Sequence, residues 1–482
     1  MIGLIIQDNQ YEQDIRELLM SFYPAQTYAH ELSGELDFYV ETKLGDGQVT
    51  VSIWDKGEDG GWKLSDSKSG ASDLSDHSAT KNVIKQVCYR MLTGRTGREM
   101  PWGSLTGIRP TKIALTRLEE GKSQEEIRGF MKETYMASDE KIDLCIDIAA
   151  REKKLLEPLD YEHGYSLYVG IPFCPTTCLY CSFTSYPIGK WKGRTGLYLD
   201  ALFHELEYTA KKMAGKTLDT VYFGGGTPTA LSAEDLDALL TKVEQLFDLS
   251  HVLEFTVEAG RPDSITEDKF KVLRSHGITR ISINPQTMNQ KTLDIIGRHH
   301  TVEIVKEKFF MARDMGFDNI NMDLIMGLPN EDLDDVRRTL EEIKAMRPDS
   351  LTVHSLAIKR AARLNMFKEE YSSLKIQNTP EMIELSAACA RELGMEPYYL
   401  YRQKNMAGNF ENVGYSLPGK ACIYNILIME EMQTIVACGA GTTTKVVFPS
   451  ENRRERCENV KEVEQYISRI DEMIERKERI LP

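Results

Sequence analysis

The sequence lacks any apolar run near the ~18 residues that a membrane-spanning helix requires, and it is poor in positive charge. Its first residues, 1–8, are too few for a secretory signal and turn acidic too soon. The 59 Lys and Arg against 74 Asp and Glu give a formal net charge of −15, which disfavours nucleic-acid binding as the main activity. We therefore expect a cytoplasmic protein with no membrane span and no nucleic-acid partner.

Cysteine is also scarce, with nine in 482 residues, and without a secretory signal this does not indicate a disulfide framework. Three cysteines nevertheless share one loop as Cys-x3-Cys-x2-Cys: Cys174, Cys178 and Cys181. A structural zinc site needs four ligands, yet no further His or Cys lies between His163 and His204. Three thiolates on one loop can hold three irons of a four-iron cluster and leave the fourth open. The loop thus favours an iron–sulfur cluster over zinc or three buried thiols.

The same loop, with Tyr180 before its last cysteine, resembles the signature of the radical S-adenosylmethionine (SAM) enzymes. In that family the open iron chelates the amino and carboxylate groups of SAM. The resemblance therefore implies two cofactors, a [4Fe-4S] cluster on Cys174, Cys178 and Cys181, and SAM.

Short β-type runs recur roughly every 30 to 40 residues from Ser166 onward, with helical patterns between them. There are six such runs: 167–169, 220–223, 253–257, 280–283, 320–325 and 351–354. Six units are too few for a closed eight-stranded barrel of about 250 residues. The sequence thus predicts an α/β fold with a partial six-stranded parallel (β/α)6 barrel of the radical SAM type, with its chemistry at the carboxyl ends of the strands.

Four segments are predicted along the chain: a small α/β module at 1–100, a helical linker at 101–160, the barrel at 161–365, and an α+β extension covering the substrate at 366–482. In the module, strands at 36–42 and 49–54 flank a Gly-Asp-Gly turn, and the Ser/Asp-rich stretch 65–78 is expected to be a loop. The charged tail from Ser450 is expected to be an amphipathic helix. Around Trp102 we expect either a packed linker or an anion contact by Arg109 and Lys112.

The second predicted strand ends in Phe-Gly-Gly-Gly-Thr-Pro at 223–228. Glycines there let the backbone approach a ligand closely, and the run lacks both the spacing and the lysine of a phosphate-binding loop. It resembles the Gly-Gly-Thr-Pro element of radical SAM enzymes, which contacts the methionine amino group. That likeness places Gly225, Gly226 and Thr227 beside SAM.

Polar residues close the later strands. Glu258 ends the third, where a carboxylate either binds a ribose hydroxyl or caps the next helix. Gln286, Arg298 and Asp323 are weak signals singly. Together with Tyr168 they resemble the oxygen-independent coproporphyrinogen III oxidases, and the N-terminal module resembles the HemZ-type branch of that family. The resemblance implies that Gln286 and Arg298 contact SAM and that Asp323 holds its ribose.

The resemblance further implies a porphyrin-pathway oxidoreductase that decarboxylates coproporphyrinogen III to protoporphyrinogen IX, with a tetrapyrrole substrate and a donor such as flavodoxin or ferredoxin. Five cations are candidate partners for the substrate's propionates: Arg109, Lys112, Lys359, Arg360 and Arg363.

Two departures leave an alternative open. Phe183 stands where the oxidases carry a fourth cysteine, and Gly170 stands where they carry a histidine. Both favour a haem-binding chaperone, yet that branch's His-Asn element is absent, since residues 422–425 read Cys-Ile-Tyr-Asn. Haem ligation by His299, His300 or His354, and another radical SAM reaction on haem, are further alternatives.

Overall fold

A computed structural model of the protein describes residues 1–24, 26–183, 185–359, 361–367, 369–403 and 410–482. The chain forms two compact units, Met1–Ala150 with Tyr401–Phe410, and Arg151–Leu400 with Glu411–Pro482. Among the described residues, no helix combines the length and the apolar character needed to cross a bilayer. The finer division into four segments stays a prediction.

The first unit contains a five-stranded sheet in the order β2-β1-β3-β4-β5, parallel across β2, β1 and β3 and antiparallel across β3, β4 and β5. The strands are β1 (Ile2–Ile6), β2 (Tyr28–Ala29), β3 (Phe38–Gly45), β4 (Gln48–Lys56) and β5 (Trp62–Ala71). The helices up to residue 156 are α1 (Glu12–Phe22), α2 (His77–Thr96), α3 (Pro110–Glu119), α4 (Gln124–Tyr135) and α5 (Asp139–Leu156).

The predicted hairpin of the first unit is confirmed. Strands β3 and β4 are joined by Asp46 and Gly47, with φ of 51° and 68°. Positive φ at both central residues is the geometry of the two-residue turns that fit the twist of a hairpin. Helix α1 then packs one face of this sheet with buried residues at helical spacing, Ile15, Leu18, Leu19 and Phe22.

The prediction of a loop at 65–78 is wrong for the first half of that stretch, which belongs to β5 at the edge of the sheet. Ser67 pairs with Ser52 through hydroxyls 2.9 Å apart, and Ser69 pairs with Thr50 at 2.8 Å. The strand is mostly exposed, so it carries no apolar alternation. Cross-strand hydroxyl pairs stabilise it instead, and a Ser-rich strand of this kind resembles a loop in sequence.

Trp102 packs the segment between α2 and α3. Its side chain is fully buried, and the guanidinium carbon of Arg402 lies 5.4 Å from its ring centroid. Nη1 of Arg402 also donates to the carbonyl of Leu105 at 2.6 Å. These contacts favour the packed-linker interpretation, while the anion contact by Arg109 and Lys112 stays a prediction.

The second unit contains an eleven-stranded sheet in the order β14-β15-β13-β12-β11-β10-β9-β6-β16-β17-β18. Its strands are β6 (Gly164–Ile171), β9 (Thr217–Gly225), β10 (Glu254–Glu258), β11 (Arg280–Ser282), β12 (Ile320–Met326), β13 (Ser350–Ser355), β14 (Glu396–Tyr401), β15 (Asn412–Ser416), β16 (Thr434–Cys438), β17 (Thr443–Phe448) and β18 (Arg453–Glu458), and a separate pair is formed by β7 (Phe173–Cys174) and β8 (Tyr186–Pro187). The helices are α6 (Thr195–Lys212), α7 (Ala233–Leu246), α8 (Glu267–Ser275), α9 (Gln290–Ile295), α10 (Val302–Asp314), α11 (Leu333–Met346), α12 (Arg363–Met366), α13 (Pro380–Glu392), α14 (Ile423–Glu430), α15 (Val463–Ser468) and α16 (Ile470–Glu478).

The six predicted barrel strands are confirmed as β6 and β9 to β13, each parallel to its neighbour. The barrel is partial because its two end strands take other partners. Strand β13 pairs antiparallel with β15, and β6 pairs parallel with β16. The C-terminal segment thus extends both edges of the sheet, as expected of an α+β extension.

The prediction of a helix from Ser450 is wrong for the first part of the tail, because strand β18 precedes the two terminal helices. Strand β18 pairs with β17 along its whole length, from Phe448 opposite Arg453 to Thr443 opposite Glu458. Charged side chains on an edge strand protect it from pairing with other chains. The same charges leave no apolar alternation by which the sequence would reveal a strand.

A buried carboxylate fixes the C-terminal helices to the barrel. Glu205 on α6 is fully buried and forms an ion pair with Lys477 on α16, which is also buried. It accepts further hydrogen bonds from the Tyr466 hydroxyl at 2.5 Å, the Gly439 amide at 2.7 Å and the Asn459 side chain at 2.7 Å. A protein tolerates a buried charge when, as here, the charged group has a counterion and several hydrogen bonds.

Lys477→Met should therefore destabilise the second unit by about 3–5 kcal/mol, because it leaves the Glu205 charge buried without its counterion. Urea unfolding followed by circular dichroism measures this as a lowered midpoint. Arg469→Met is the matched control, since Arg469 pairs with Glu472 on the solvent side of the same helix and its loss should change little. A wild-type midpoint for Lys477→Met would contradict the assigned role.

Candidate functional site

The cysteine loop follows β6 and is held by the glycine run at the carboxyl end of β9. The Gly226 amide donates to the Ile171 carbonyl, and the Thr227 amide donates to the Phe173 carbonyl, both at 2.7 Å. A Cβ on Gly226 would lie 2.6 Å from the Phe173 oxygen, and Gly225 has a φ of 107°. Glycine is required at both positions for the two backbones to approach this closely.

The three loop thiols differ in exposure. Cys174 and Cys178 are buried, whereas Cys181 is half-buried. Burial raises the pKa of the Cys174 thiol to about 11, and the neighbouring thiols Cys178 and Cys181 add to the shift. The Thr227 hydroxyl lies 3.4 Å from the Cys174 sulfur.

This donor set fits an iron–sulfur cluster. Bound iron would convert the thiols to thiolates, because a coordinated metal removes the proton of a thiol. Within the described ranges, no three His, Cys, Asp or Glu residues are grouped so as to hold one metal ion. A cluster does not need such a group, because each thiolate binds a different iron.

Gln286 is brought beside Asp323 by an irregular stretch after β11. Its φ is 69°, its amide donates to the Asp323 carbonyl at 2.9 Å, and its own carbonyl accepts from Ile325 at 3.0 Å. Its side chain is buried, and the side-chain oxygen has no hydrogen-bond partner among the described residues. An unpaired buried polar atom is costly, so this oxygen is suited to receive a ligand.

Arg298 is placed by Asn284, a residue that the sequence analysis missed. Nη1 of Arg298 donates to the Asn284 carbonyl, while the Asn284 side-chain oxygen accepts from the Asp323 amide at 3.3 Å. Arg298 also interacts electrostatically with Cys178. Asn284 therefore links two predicted SAM contacts, and its position two residues after a buried strand was the available signal.

Asp323 was expected to close its strand, but this is wrong: β12 continues to Met326, so Asp323 lies at the middle of the strand, where its neighbours hold it. Nδ2 of Asn321 donates to its carboxylate at 2.7 Å, and Nε2 of His354 lies 3.8 Å away. Burial alone would raise the pKa of Asp323, but the contacts with His354 and Asn321 hold it below its usual value. The group is thus a charged acceptor at neutral pH, as a ribose-binding carboxylate must be.

Glu258 and Tyr168 meet beside the glycine run, with a Cβ on Gly224 lying 3.2 Å and 3.1 Å from their side chains. The Tyr222 hydroxyl donates to Glu258 at 2.6 Å. Burial raises the pKa of Glu258 to about 7, opposed by the Tyr222 hydrogen bond and assisted by the charge of Asp323. The ring of Tyr222 stacks on Tyr168 at 6.0 Å.

Tyr222 and Tyr424 were also missed by the sequence analysis. Their rings stack at 4.5 Å, and Tyr424 comes from α14 in the C-terminal segment. A tyrosine within a β run and another within an apolar helix look like ordinary core residues in sequence, so only the fold reveals that they line this site.

A last missed group is Arg261, which is 3% exposed and follows β10. It donates to the Cys178 sulfur at 3.4 Å and to the Thr176 hydroxyl at 3.1 Å, and it pairs with Asp263 at 2.7 Å. The Gly-Arg-Pro-Asp run at 260–263 was the available signal.

The structure thus groups the predicted residues into three neighbouring sets. The Thr227 hydroxyl lies 3.4 Å from the Cys174 sulfur, Arg298 interacts electrostatically with Cys178, and Glu258 and Tyr168 both lie beside Gly224. Their contacts with cluster and SAM stay predictions.

Comparison with known proteins shows which family the chain belongs to. Residues 168–343 match the family described as the radical SAM superfamily. The chain is 40% identical over 481 residues to the oxygen-independent coproporphyrinogen-III oxidase-like protein HemZ of Bacillus subtilis, covering 98% of this chain and 96% of that protein. In fold it resembles the crystal structure of coproporphyrinogen III oxidase HemN from Escherichia coli, with a TM-score of 0.53, 23% identity, and coverage of 65% of this chain and 71% of that one.

Two shorter similarities point to different activities. The heme chaperone HemW of Bacillus subtilis is 37% identical over 194 residues, 40% of this chain and 50% of that protein. The oxygen-independent coproporphyrinogen III oxidase of Salmonella typhimurium is 32% identical over 196 residues, 41% of this chain and 42% of that protein. The chain therefore belongs to the radical SAM superfamily, whose members use a [4Fe-4S] cluster and SAM, and within it to the oxygen-independent coproporphyrinogen-III oxidase-like proteins.

Proposed function

We propose that this protein is a cytoplasmic radical SAM oxidoreductase that converts coproporphyrinogen III to protoporphyrinogen IX by oxidative decarboxylation without oxygen, a step of haem biosynthesis. The observation that carries the proposal is 40% identity over nearly the whole chain to an oxidase-like protein. The site supports it, because three thiols follow the carboxyl end of β6 in the parallel sheet, the end at which the chemistry of such folds collects, and side chains with unpaired buried polar atoms follow a neighbouring strand.

In this proposal Cys174, Cys178 and Cys181 hold the cluster. The SAM site is formed by the residues grouped around it: Tyr168, Gly225, Gly226, Thr227, Glu258, Gln286, Arg298 and Asp323. Asp323 supports this assignment as a half-buried carboxylate with fixed neighbours, and the Gln286 side-chain oxygen supports it as a buried acceptor with no hydrogen-bond partner among the described residues.

When bound, the cluster and SAM supply the electron and the radical that abstracts hydrogen. Each reacting propionate then loses a hydrogen atom, carbon dioxide and one electron, which an external one-electron acceptor takes up, and a vinyl group remains. The protein's contribution is placement and protection. Tyr168, Tyr222 and Tyr424 wall the site against water, and Glu258 holds a proton below pH about 7 and releases it above.

The partners follow from this chemistry. The substrate is a tetrapyrrole with four propionates, and the electron donor is a carrier such as flavodoxin or ferredoxin. Lys359 and Arg363 are the candidate propionate partners that lie in the second unit, while Arg360 lies outside the described residues.

A second candidate function is haem binding as a chaperone. It is favoured by Phe183, which stands next to the cysteine loop with 70% of its side chain exposed, and by the similarity to HemW. Among the candidate haem ligands, His300 is fully buried and lies 3.8 Å from Asp263, which leaves it no access to a haem iron.

An anaerobic assay with reconstituted protein, SAM, a strong reductant and either coproporphyrinogen III or haem, analysed by mass spectrometry, decides between the two. We expect protoporphyrinogen together with 5′-deoxyadenosine in matching amounts. Haem bound unchanged, or 5′-deoxyadenosine without a porphyrin product, would refute the decarboxylase proposal.

Cys178→Ala should abolish the brown absorbance of the reconstituted protein and most of its iron, because a cluster with two thiolates lacks a ligand on two irons. Cys389→Ala is the matched control, since Cys389 is equally buried but lies on α13. Iron and absorbance measured after anaerobic reconstitution should be normal in the control. Full iron content in Cys178→Ala would contradict the assignment of Cys178 as a cluster ligand.

Asp323→Ala should weaken SAM binding about tenfold or more while leaving iron content intact, because a hydrogen bond to a charged group contributes about 1.5–3 kcal/mol. Anaerobic calorimetry measures the affinity. Asp318→Ala, which removes an exposed carboxylate two residues before β12, should leave it unchanged. Equal affinity in wild type and Asp323→Ala would rule out a ribose contact at this position.

A further inference from the structure

Arg261 is held in one orientation beside the cysteine loop. Nε and Nη2 donate to the two carboxylate oxygens of Asp263 at 2.9 Å and 2.7 Å. This is the two-pronged pairing that fixes the plane of a guanidinium. Asp263 in turn lies 3.8 Å from the buried ring of His300. The arginine is therefore oriented before any cofactor binds.

The third nitrogen of this guanidinium, Nη1, donates to the cysteine loop, and Nη2 adds a hydrogen bond to the Thr176 hydroxyl at 3.1 Å. Nη1 donates to the Thr176 carbonyl at 3.3 Å, to the Thr176 hydroxyl at 3.1 Å and to the Cys178 sulfur at 3.4 Å. The Thr176 hydroxyl also donates to the Gly297 carbonyl at 3.0 Å. An arginine that served only to hold the loop in place would need the contacts with Thr176 alone. The additional contact with the Cys178 sulfur therefore needs a separate explanation.

Cys178 is electrostatically distinct from Cys174. It receives a hydrogen bond from the guanidinium of Arg261 and interacts electrostatically with a second guanidinium, that of Arg298, whereas Cys174 contacts the neutral hydroxyl of Thr227. Hydrogen bonds to the sulfurs and net charge set the reduction potential of an iron–sulfur cluster. A positive donor at a ligand sulfur stabilises the more negative, reduced state and raises that potential.

We propose that Arg261 sets the reduction potential of the cluster through its hydrogen bond to Cys178, with Asp263 and Thr176 fixing its orientation. The proposal rests on the proposed cluster at Cys174, Cys178 and Cys181. Arg298 differs in role, because it is assigned to SAM and carries an unpaired Nε, whereas each nitrogen of Arg261 donates to the protein. Arg261 is thus a positioning and tuning residue rather than a catalytic one.

The test is a potentiometric titration of the reconstituted full chain, followed by EPR without SAM, for wild type, Arg261→Gln and Arg261→Lys. We expect Arg261→Gln to retain its iron and to shift the midpoint negative by at least a tenfold change in the reduced-to-oxidised ratio, ~59 mV for one electron. Arg261→Lys keeps the charge without the fork and should fall between the two. Arg313→Gln, which breaks the Arg313–Asp349 pair at the opposite ends of the strands, should match wild type.

Each outcome decides a separate claim. An iron-loaded Arg261→Gln with the wild-type midpoint overturns the tuning role. If Arg261→Gln does not assemble a cluster, Arg261→Lys decides, since a wild-type midpoint there overturns the role and a negative shift supports it. A wild-type protein that assembles no cluster overturns the proposed function itself, independently of Arg261.

Discussion

The site depends on one backbone contact, the pairing of the glycine run at the carboxyl end of β9 with the segment that leads into the cysteine loop. Two hydrogen bonds of 2.7 Å join Gly226 to Ile171 and Thr227 to Phe173. Because a side chain at Gly226 would collide with the Phe173 carbonyl, only glycine allows this approach. Without it the three thiols would have no fixed position relative to the barrel strands.

The backbone also positions the polar residues around the thiols. Gln286 takes a positive φ so that its strand rejoins β12 beside Asp323, and Asn284 then connects Asp323 with Arg298. A site built on strand ends in this way is more precise than one built on free loops. The tyrosines from β6, β9 and α14 close it on another side.

The sequence predicted the parallel strands, since buried parallel strands have a clear apolar signal, and the family motifs directed the search for site residues to their carboxyl ends. It failed where stability comes from polar contacts. Strand β5 is paired through serine hydroxyls and β18 through charged residues, so neither shows apolar alternation. Arg261 and Asn284 were missed because their partners are distant in sequence: Arg261 contacts Cys178 across 83 residues, and Asn284 contacts Asp323 across 39.

The central claim is that SAM binds at a cluster held by three thiolates beside Gln286, Arg298 and Asp323. The most direct measurement is the EPR spectrum of the reduced, reconstituted protein with and without saturating SAM. A change in the g-values on addition of SAM, at constant iron content, is the predicted result, because SAM then occupies the open iron. A reduced cluster whose spectrum is identical with and without SAM would contradict the account.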